Sequence, residues 1–222
     1  MSMLRYAITD RRRLGMTEAE QSDALVEQAA RLAARGDIDF LQLREKDLPP
    51  AALAALARRI LDALHTHAPG RTQRMQLLIN ARADVAIAVG ADGVHLTSSP
   101  GELTPTQVRQ LYKEASLPTP TISVSCHSLD DIARITDFAP DLILFGPVFE
   151  KRVAQPGDPD SADQLVSEGT GLELLKQASA AAAPVPVLAL GGVTAEAAAS
   201  CLDAGAAGVA GIRLFLWSRE YI

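Results

Sequence analysis

The feature of this 222-residue chain that most limits its fold is an alternation repeated along its whole length. Short apolar runs of strand length are separated by longer Ala/Leu-rich stretches with helical periodicity. The strand-like runs fall at 4–9, 38–44, 76–80, 93–96, 121–125, 142–146, 185–190 and 208–212. The helical stretches occupy 21–35, 50–67, 82–89, 105–115, 129–137, 171–182 and 195–204. A run that is apolar on both faces needs cover on both faces, and helices flanking a parallel sheet supply it. Eight strands in this order predict an α/β fold, a TIM (β/α)8 barrel forming a single domain over residues 1–222. The competing architecture is a doubly wound open sheet. Against it, no G-x-G-x-x-G turn follows the first strand, and a count of eight closes a barrel.

Composition narrows the partners. Aromatic residues are 4% of the chain and the formal net charge is −6, which speaks against a nucleic-acid or anionic-membrane surface. An anionic ligand would need local positive charge. The two cysteines, Cys126 and Cys201, have no metal-ligand spacing and read as buried thiols of a reducing compartment. No run reaches the roughly 18 apolar residues of a membrane span. The basic cluster Arg11–Arg13 follows the first apolar run instead of preceding it, so no signal peptide is expected and the cytoplasm is the expected location.

Active sites of such barrels lie at strand C-termini. There the chain places Gln42, Arg44 and Lys46, whose period of two points all three to one face. Two cations in a barrel mouth call for an anion; pairing with Glu45, Asp47 or Asp10 is the alternative. Gly191-Gly192, ahead of a helix expected from about Ala195, has the form of a phosphate cradle, and Gly211-Ile212-Arg213 supplies its other half. His127, in Ser125-Cys126-His127-Ser128, has the chemistry for proton transfer near neutral pH, with Cys126 as its competitor. Asn80, His95 and Gly146 complete the ring, His95 reading equally as a satisfied interior residue. His65 and His67 read as solvent residues. Gly90 and Gly205 read as helix C-caps at the barrel's bottom. The polar segment 150–169 is a lid or a disordered loop.

These phrases resemble the thiamine phosphate synthase family, including its TenI-type thiazole tautomerases. The resemblance is carried by Tyr6-Ala7-Ile8-Thr9-Asp10, the Gln-Leu-Arg-Glu-Lys-Asp run at 42–47, Leu78-Ile79-Asn80, and Ala91-Asp92-Gly93-Val94-His95-Leu96. It continues through Ser123-Val124-Ser125-Cys126-His127-Ser128, Gly146-Pro147-Val148-Phe149 and Ala189-Leu190-Gly191-Gly192-Val193, in family order over nearly the whole chain. It implies a barrel that binds a thiazole phosphate, in a family whose members commonly pair as homodimers. The departures concern metal. Where the resemblance implies Mg²⁺ carboxylates in a synthase, this chain has Ala81 and, after His95-Leu96, Thr97-Ser98-Ser99-Pro100. Where it implies a Thr-rich pyrophosphate turn, the chain has Glu150-Lys151-Arg152-Val153.

A metal-independent thiazole phosphate carboxylate tautomerase, with neither metal nor cofactor, is therefore the expectation. In it His127 moves the proton, Arg44 and Lys46 hold a carboxylate, and Gly191, Gly192, Gly211, Ile212 and Arg213 hold the phosphate. Gln42, Asn80, Ser125 and Gly146 line the substrate. The first alternative is the synthase, coupling a hydroxymethylpyrimidine pyrophosphate to the thiazole phosphate with Mg²⁺ and with Lys46 as a catalytic group. The second is a non-catalytic binding barrel. The end at Ile222 leaves a full closing helix after Arg213 in doubt.

Overall fold

A computed structural model describes residues 3–67, 74–153 and 165–215. Its centre is a closed barrel of eight parallel strands: β1 (Leu4–Ile8), β2 (Phe40–Leu43), β3 (Gln76–Asn80), β4 (Gly93–Thr97), β5 (Thr121–Cys126), β6 (Leu142–Phe145), β9 (Val187–Leu190) and β10 (Gly208–Gly211). Closure is made by β1, which pairs with β2 on one edge and β10 on the other. The expected strand from 185 starts at Val187. Pro186 has no N–H for the ladder, although its carbonyl accepts from Ile143.

The pleat sorts the apolar residues into two layers. Tyr6, Ile8, Phe40, Leu78, Leu142, Leu144, Leu188 and Ala210 fill the interior. Leu41, Leu43, Leu77, Ile79, Val94, Val124 and Phe145 face outward onto the helices. Those helices are α1 (Glu18–Arg35), α2 (Pro50–His67), α3 (Ala83–Val89), α4 (Pro105–Glu114), α5 (Leu129–Thr136), α6 (Gly171–Ala182) and α7 (Ala198–Asp203). Local chemistry sets their ends: Thr17 with Glu20 and Thr104 with Gln107 form reciprocal capping boxes. Glycine is required where strands enter the barrel floor, since a Cβ on Gly93 would lie 1.8 Å from the Thr121 carbonyl oxygen.

Two expectations change. The last helix begins at Ala198, not near Ala195, because the Thr194 hydroxyl accepts the Ala197 N–H at 3.2 Å and holds a turn there. The segment after β6 is not featureless either: β7 (Lys151–Val153) and β8 (Leu165–Ser167) form an antiparallel ribbon. Its base is fastened by Thr170 and Gly171 N–H groups donating to Pro147 and Val148 carbonyls at 2.8 and 2.9 Å. The tip, 154–164, and the chain end, 216–222, lie outside the described residues. Among the described residues no helix is long and apolar enough to cross a membrane.

Ala81, just past β3, has a φ of 56°, a left-handed conformation that penalises any Cβ by about 1–2 kcal/mol. Replacing Ala by Gly in an exposed helix, as at Ala88, should cost about 0.5–1 kcal/mol. Ala81→Gly should instead be neutral or stabilising by up to about 1 kcal/mol, because relief of the left-handed strain offsets the added chain entropy. Denaturant unfolding of both variants checks this. A loss at Ala81 equal to that at Ala88 would refute it.

Candidate active site

The register stacks polar side chains at the C-terminal end of the interior. Asn80 is paired with His95, His95 with Ser123, and Thr97 with Ser125. The Tyr6 hydroxyl and the Ser123 hydroxyl are 2.8 Å apart, Ser123 lies 2.8 Å from His95 Nδ1, and Ser125 lies 3.0 Å from His95 Nε2. Burial in this chain, reinforced by the charges of Arg44 and Lys46, pushes the His95 imidazole down to about 3. Burial likewise raises the Tyr6 phenol far above its ordinary value. Both groups are neutral near pH 7, so His95 sits between two hydroxyls as a hydrogen-bonding group.

Beside this chain Gln42, 1% exposed, donates its amide N–H to Asn80 Oδ1 at 2.8 Å. Its own Oε1 is buried without a donor among the described residues, an acceptor left for a ligand N–H. Phe40 lines the interior and Gln42 reaches Asn80; β2 ends at Leu43 and Lys46 lies in an exposed turn, yet the charges of both Arg44 and Lys46 act on His95. The competing pairing with Glu45, Asp47 or Asp10 does not occur. Arg11 Nη1 reaches Glu45 at 3.2 Å and Asp47 at 2.7 Å, and Arg13 takes Asp10 at 2.7 Å. Among the described residues neither Arg44 nor Lys46 has an acidic partner. The adjacent Arg44 charge, with some burial, holds the Lys46 ammonium below its ordinary value. Among the described residues the mouth carries two unneutralised cations.

His127 stands exposed at the rim. Its backbone N–H donates to Asp131 Oδ2 at 2.9 Å, and its ring Nδ1 contacts the Gly146 carbonyl oxygen. That contact fixes Nδ1 as the donor and leaves the Nε2 lone pair free in the neutral ring. Cys126 points away from the mouth, 0% exposed, and burial raises its thiol to about 12. It is thereby removed as a competitor. At the opposite rim Gly191 and Gly192 adopt φ of 88° and 67°. A Cβ on Gly192 would fall 2.6 Å from the Glu150 carbonyl oxygen. After Gly211 and Ile212, a 3₁₀ turn over Arg213–Phe215 begins, with Arg213 exposed. Among the described residues no backbone acceptor takes the N–H groups of Gly192, Val193, Arg213 or Leu214, which leaves donors on two adjacent turns. α7 is too short and too far along to add its terminus to this cradle.

The Mg²⁺ implied by the sequence resemblance finds no fitting donor set among the described residues. Ala81 ends in a methyl group, the Asn80 oxygen accepts from Gln42, and Pro100 offers no oxygen on its side chain. The loop after β4 is held by a cation, with Arg134 donating to the Ser98 carbonyl at 2.7 Å. Among the described residues no three His, Cys, Asp or Glu side chains group as metal ligands. Three residues that sequence reasoning missed shape the site: Tyr6, Arg11 and Ser123, beside Thr9, which stood among the polar strand ends. Tyr6 and Ser123 were legible as the inward phase of β1 and β5. Arg11 lies in a loop, where no periodicity speaks.

The sequence pattern of the thiamine monophosphate synthase family matches residues 5–215. A Geobacter sulfurreducens protein bearing a provisional thiamine-phosphate synthase name is 38% identical over 92% of this chain and 83% of its own length. The thiamine-phosphate synthase of Roseiflexus castenholzii is 33% identical over 92% of this chain and 77% of its own length. Among solved structures, the thiamine phosphate pyrophosphorylase of Pyrococcus furiosus superposes with a TM-score of 0.67 at 25% identity, covering 95% of this chain and 85% of that one.

The depressed His95 has a measurable consequence. Its folded form is neutral, so its contribution to stability is whole above the unfolded value of 6.5 and is lost as pH falls toward about 3. His95→Gln should flatten the decline of stability in that window by up to about 1.4 kcal/mol per pH unit. Urea titrations from pH 7 to 4 read the difference in slope. Identical slopes would show that His95 is not held neutral.

Proposed function

The chain belongs to the thiamine monophosphate synthase family, and from that membership we propose that it joins a pyrimidine pyrophosphate to a thiazole phosphate and releases pyrophosphate. This reverses the preference for a tautomerase drawn from sequence, since the relatives' names favour the transferase. One observation carries the choice: Arg44 and Lys46 lie close enough to the mouth to act on His95 and have no counter-ion among the described residues. A single substrate carboxylate would leave that pair under-neutralised, whereas a pyrophosphate matches it. Two neighbouring cations repel each other, and an anion bound by both relieves that repulsion through charge-assisted hydrogen bonds.

The reaction asks little of proton chemistry. The bond from the pyrimidine methylene carbon to the pyrophosphate oxygen breaks, and the oxygen keeps the electron pair. The thiazole nitrogen lone pair forms the new C–N bond and becomes the thiazolium. A core whose Tyr6 and His95 are both locked neutral suits a step in which charge separates and no proton moves. Arg44 and Lys46 stabilise the departing anion. The orphaned Gln42 oxygen accepts an N–H from the pyrimidine, with Asn80 and Ser125 beside it. The turns at Gly191-Gly192 and Gly211-Ile212-Arg213 hold the thiazole phosphate, and Gly146 with His127 closes the rim. No step is assigned to a protein-bound metal. A cytoplasmic location and a homodimeric state belong to the same proposal.

The tautomerase reading keeps one observation in its favour: His127 has a fixed ring and a free Nε2 at the mouth, in a site without metal carboxylates. Two assays separate the readings. With pyrimidine pyrophosphate and thiazole phosphate, thiamine phosphate and pyrophosphate should form. Lys46→Ala should lower turnover by about 10²-fold or more, and His127→Asn by less than about 10-fold. Conversion of a carboxylated thiazole phosphate that depends on His127, without coupling, would select the tautomerase. Binding of thiazole phosphate with turnover in neither assay would leave a binding barrel.

A further inference from the structure

The motif Arg44-Glu45-Lys46-Asp47 is electrically neutral as written, yet its cations act on His95 in the mouth while its acids are held by Arg11. The reason lies on a neighbouring strand's loop. Arg11, 1% exposed, sends Nη1 to Glu45 Oε2 at 3.2 Å and binds Asp47 with both Nη atoms at 2.7 and 2.8 Å. Its backbone N–H meets both Glu45 oxygens at 3.2 Å. The Thr9 hydroxyl donates to Glu45 Oε1 at 2.5 Å and accepts the Arg44 N–H at 2.9 Å, which pins the backbone between the two sets.

We propose that Arg11 is a positioning residue that sequesters Glu45 and Asp47 behind β2 and so keeps Arg44 and Lys46 free for an anionic substrate. Stability alone is a thin account of such a residue. Buried ion pairs are often no better for folding than apolar side chains of the same volume, and Arg11 Nε has no partner among the described residues. Asp47 is the carboxylate at stake, because its side chain keeps 43% of its surface exposed and lies one residue from Lys46. Without Arg11 it turns to the nearest cations, and the mouth neutralises itself.

The inference rests on the anion site proposed above, so its test has a readout that needs no ligand. In the whole protein, the Lys46 side chain is titrated by NMR of its ε-carbon. Inorganic pyrophosphate binding is followed by calorimetry at fixed ionic strength. Arg11→Met should raise the Lys46 titration midpoint and weaken pyrophosphate about tenfold or more. The triple variant R11M/E45Q/D47N should restore both, the affinity to within about threefold, since it removes the freed charges without replacing Arg11. A merely structural role would not be rescued in this way.

If Arg11→Met does not fold, Asp47→Asn carries the test. Because Asp47 is already withheld from the mouth, this variant should leave pyrophosphate affinity unchanged or tighter, and a loss would overturn the proposal. So would an unmoved Lys46 midpoint in Arg11→Met, or failure of the folded triple variant to restore it. A wild-type protein that ignores pyrophosphate would sink the proposed function, while the Lys46 titration still decides the role of Arg11.

Discussion

Closure of the sheet is the constraint from which the remainder follows. β1 is hydrogen-bonded on both edges, to β2 and to β10, so the sheet has no free edge and the strands run around a common axis. Because they are parallel, every strand ends at the same mouth. Pleating then divides each strand between an apolar outer layer against the helices and an inner column. The inner column is apolar for most of its height, with Tyr6, Phe40, Leu78, Leu144 and Leu188, and turns polar at the top. The hydrophobic layers supply the folding free energy, and the short polar segment at the top is left to chemistry.

Within that segment low polarity around the groups decides what they can do. His95 and Tyr6 are placed among hydroxyls and apolar walls, so neither ionises near neutral pH. The cations above them are half-buried or exposed and have no acidic partner among the described residues. In the proposed reaction a mouth so arranged serves anion capture and charge separation, and acid–base work has little part in it. This agrees with the synthase names of the relatives. Where the sequence resemblance implies a metal carboxylate, Ala81 keeps a strained left-handed backbone with only a methyl group to show.

Much of this is legible in the sequence. The strands and helices were found within a few residues of their bounds, because long runs with a clear period report burial directly. Gln42, Asn80, Ser125, Gly146, His127 and the two glycine turns were placed at the mouth by the rule that parallel strands end together. The misreadings have local causes. The last helix starts late because a Thr194 turn takes its first residues, and the β7–β8 ribbon is carried by strands too short to show a period.

The sequence by itself determined the barrel, the ring of strand ends and the set of inward side chains, since each depends on periodicity between near neighbours. The tertiary structure decided the sign of the mouth. Arg44, Glu45, Lys46 and Asp47 cancel along the chain, and nothing in their spacing says which charges will be neutralised. Arg11 reaches Glu45 and Asp47 from 34 and 36 residues away, and only because β1 and β2 are neighbours in the closed barrel. Ion pairing falls off with distance in space, not with separation in sequence, so a partner this remote becomes visible only once the chain has folded.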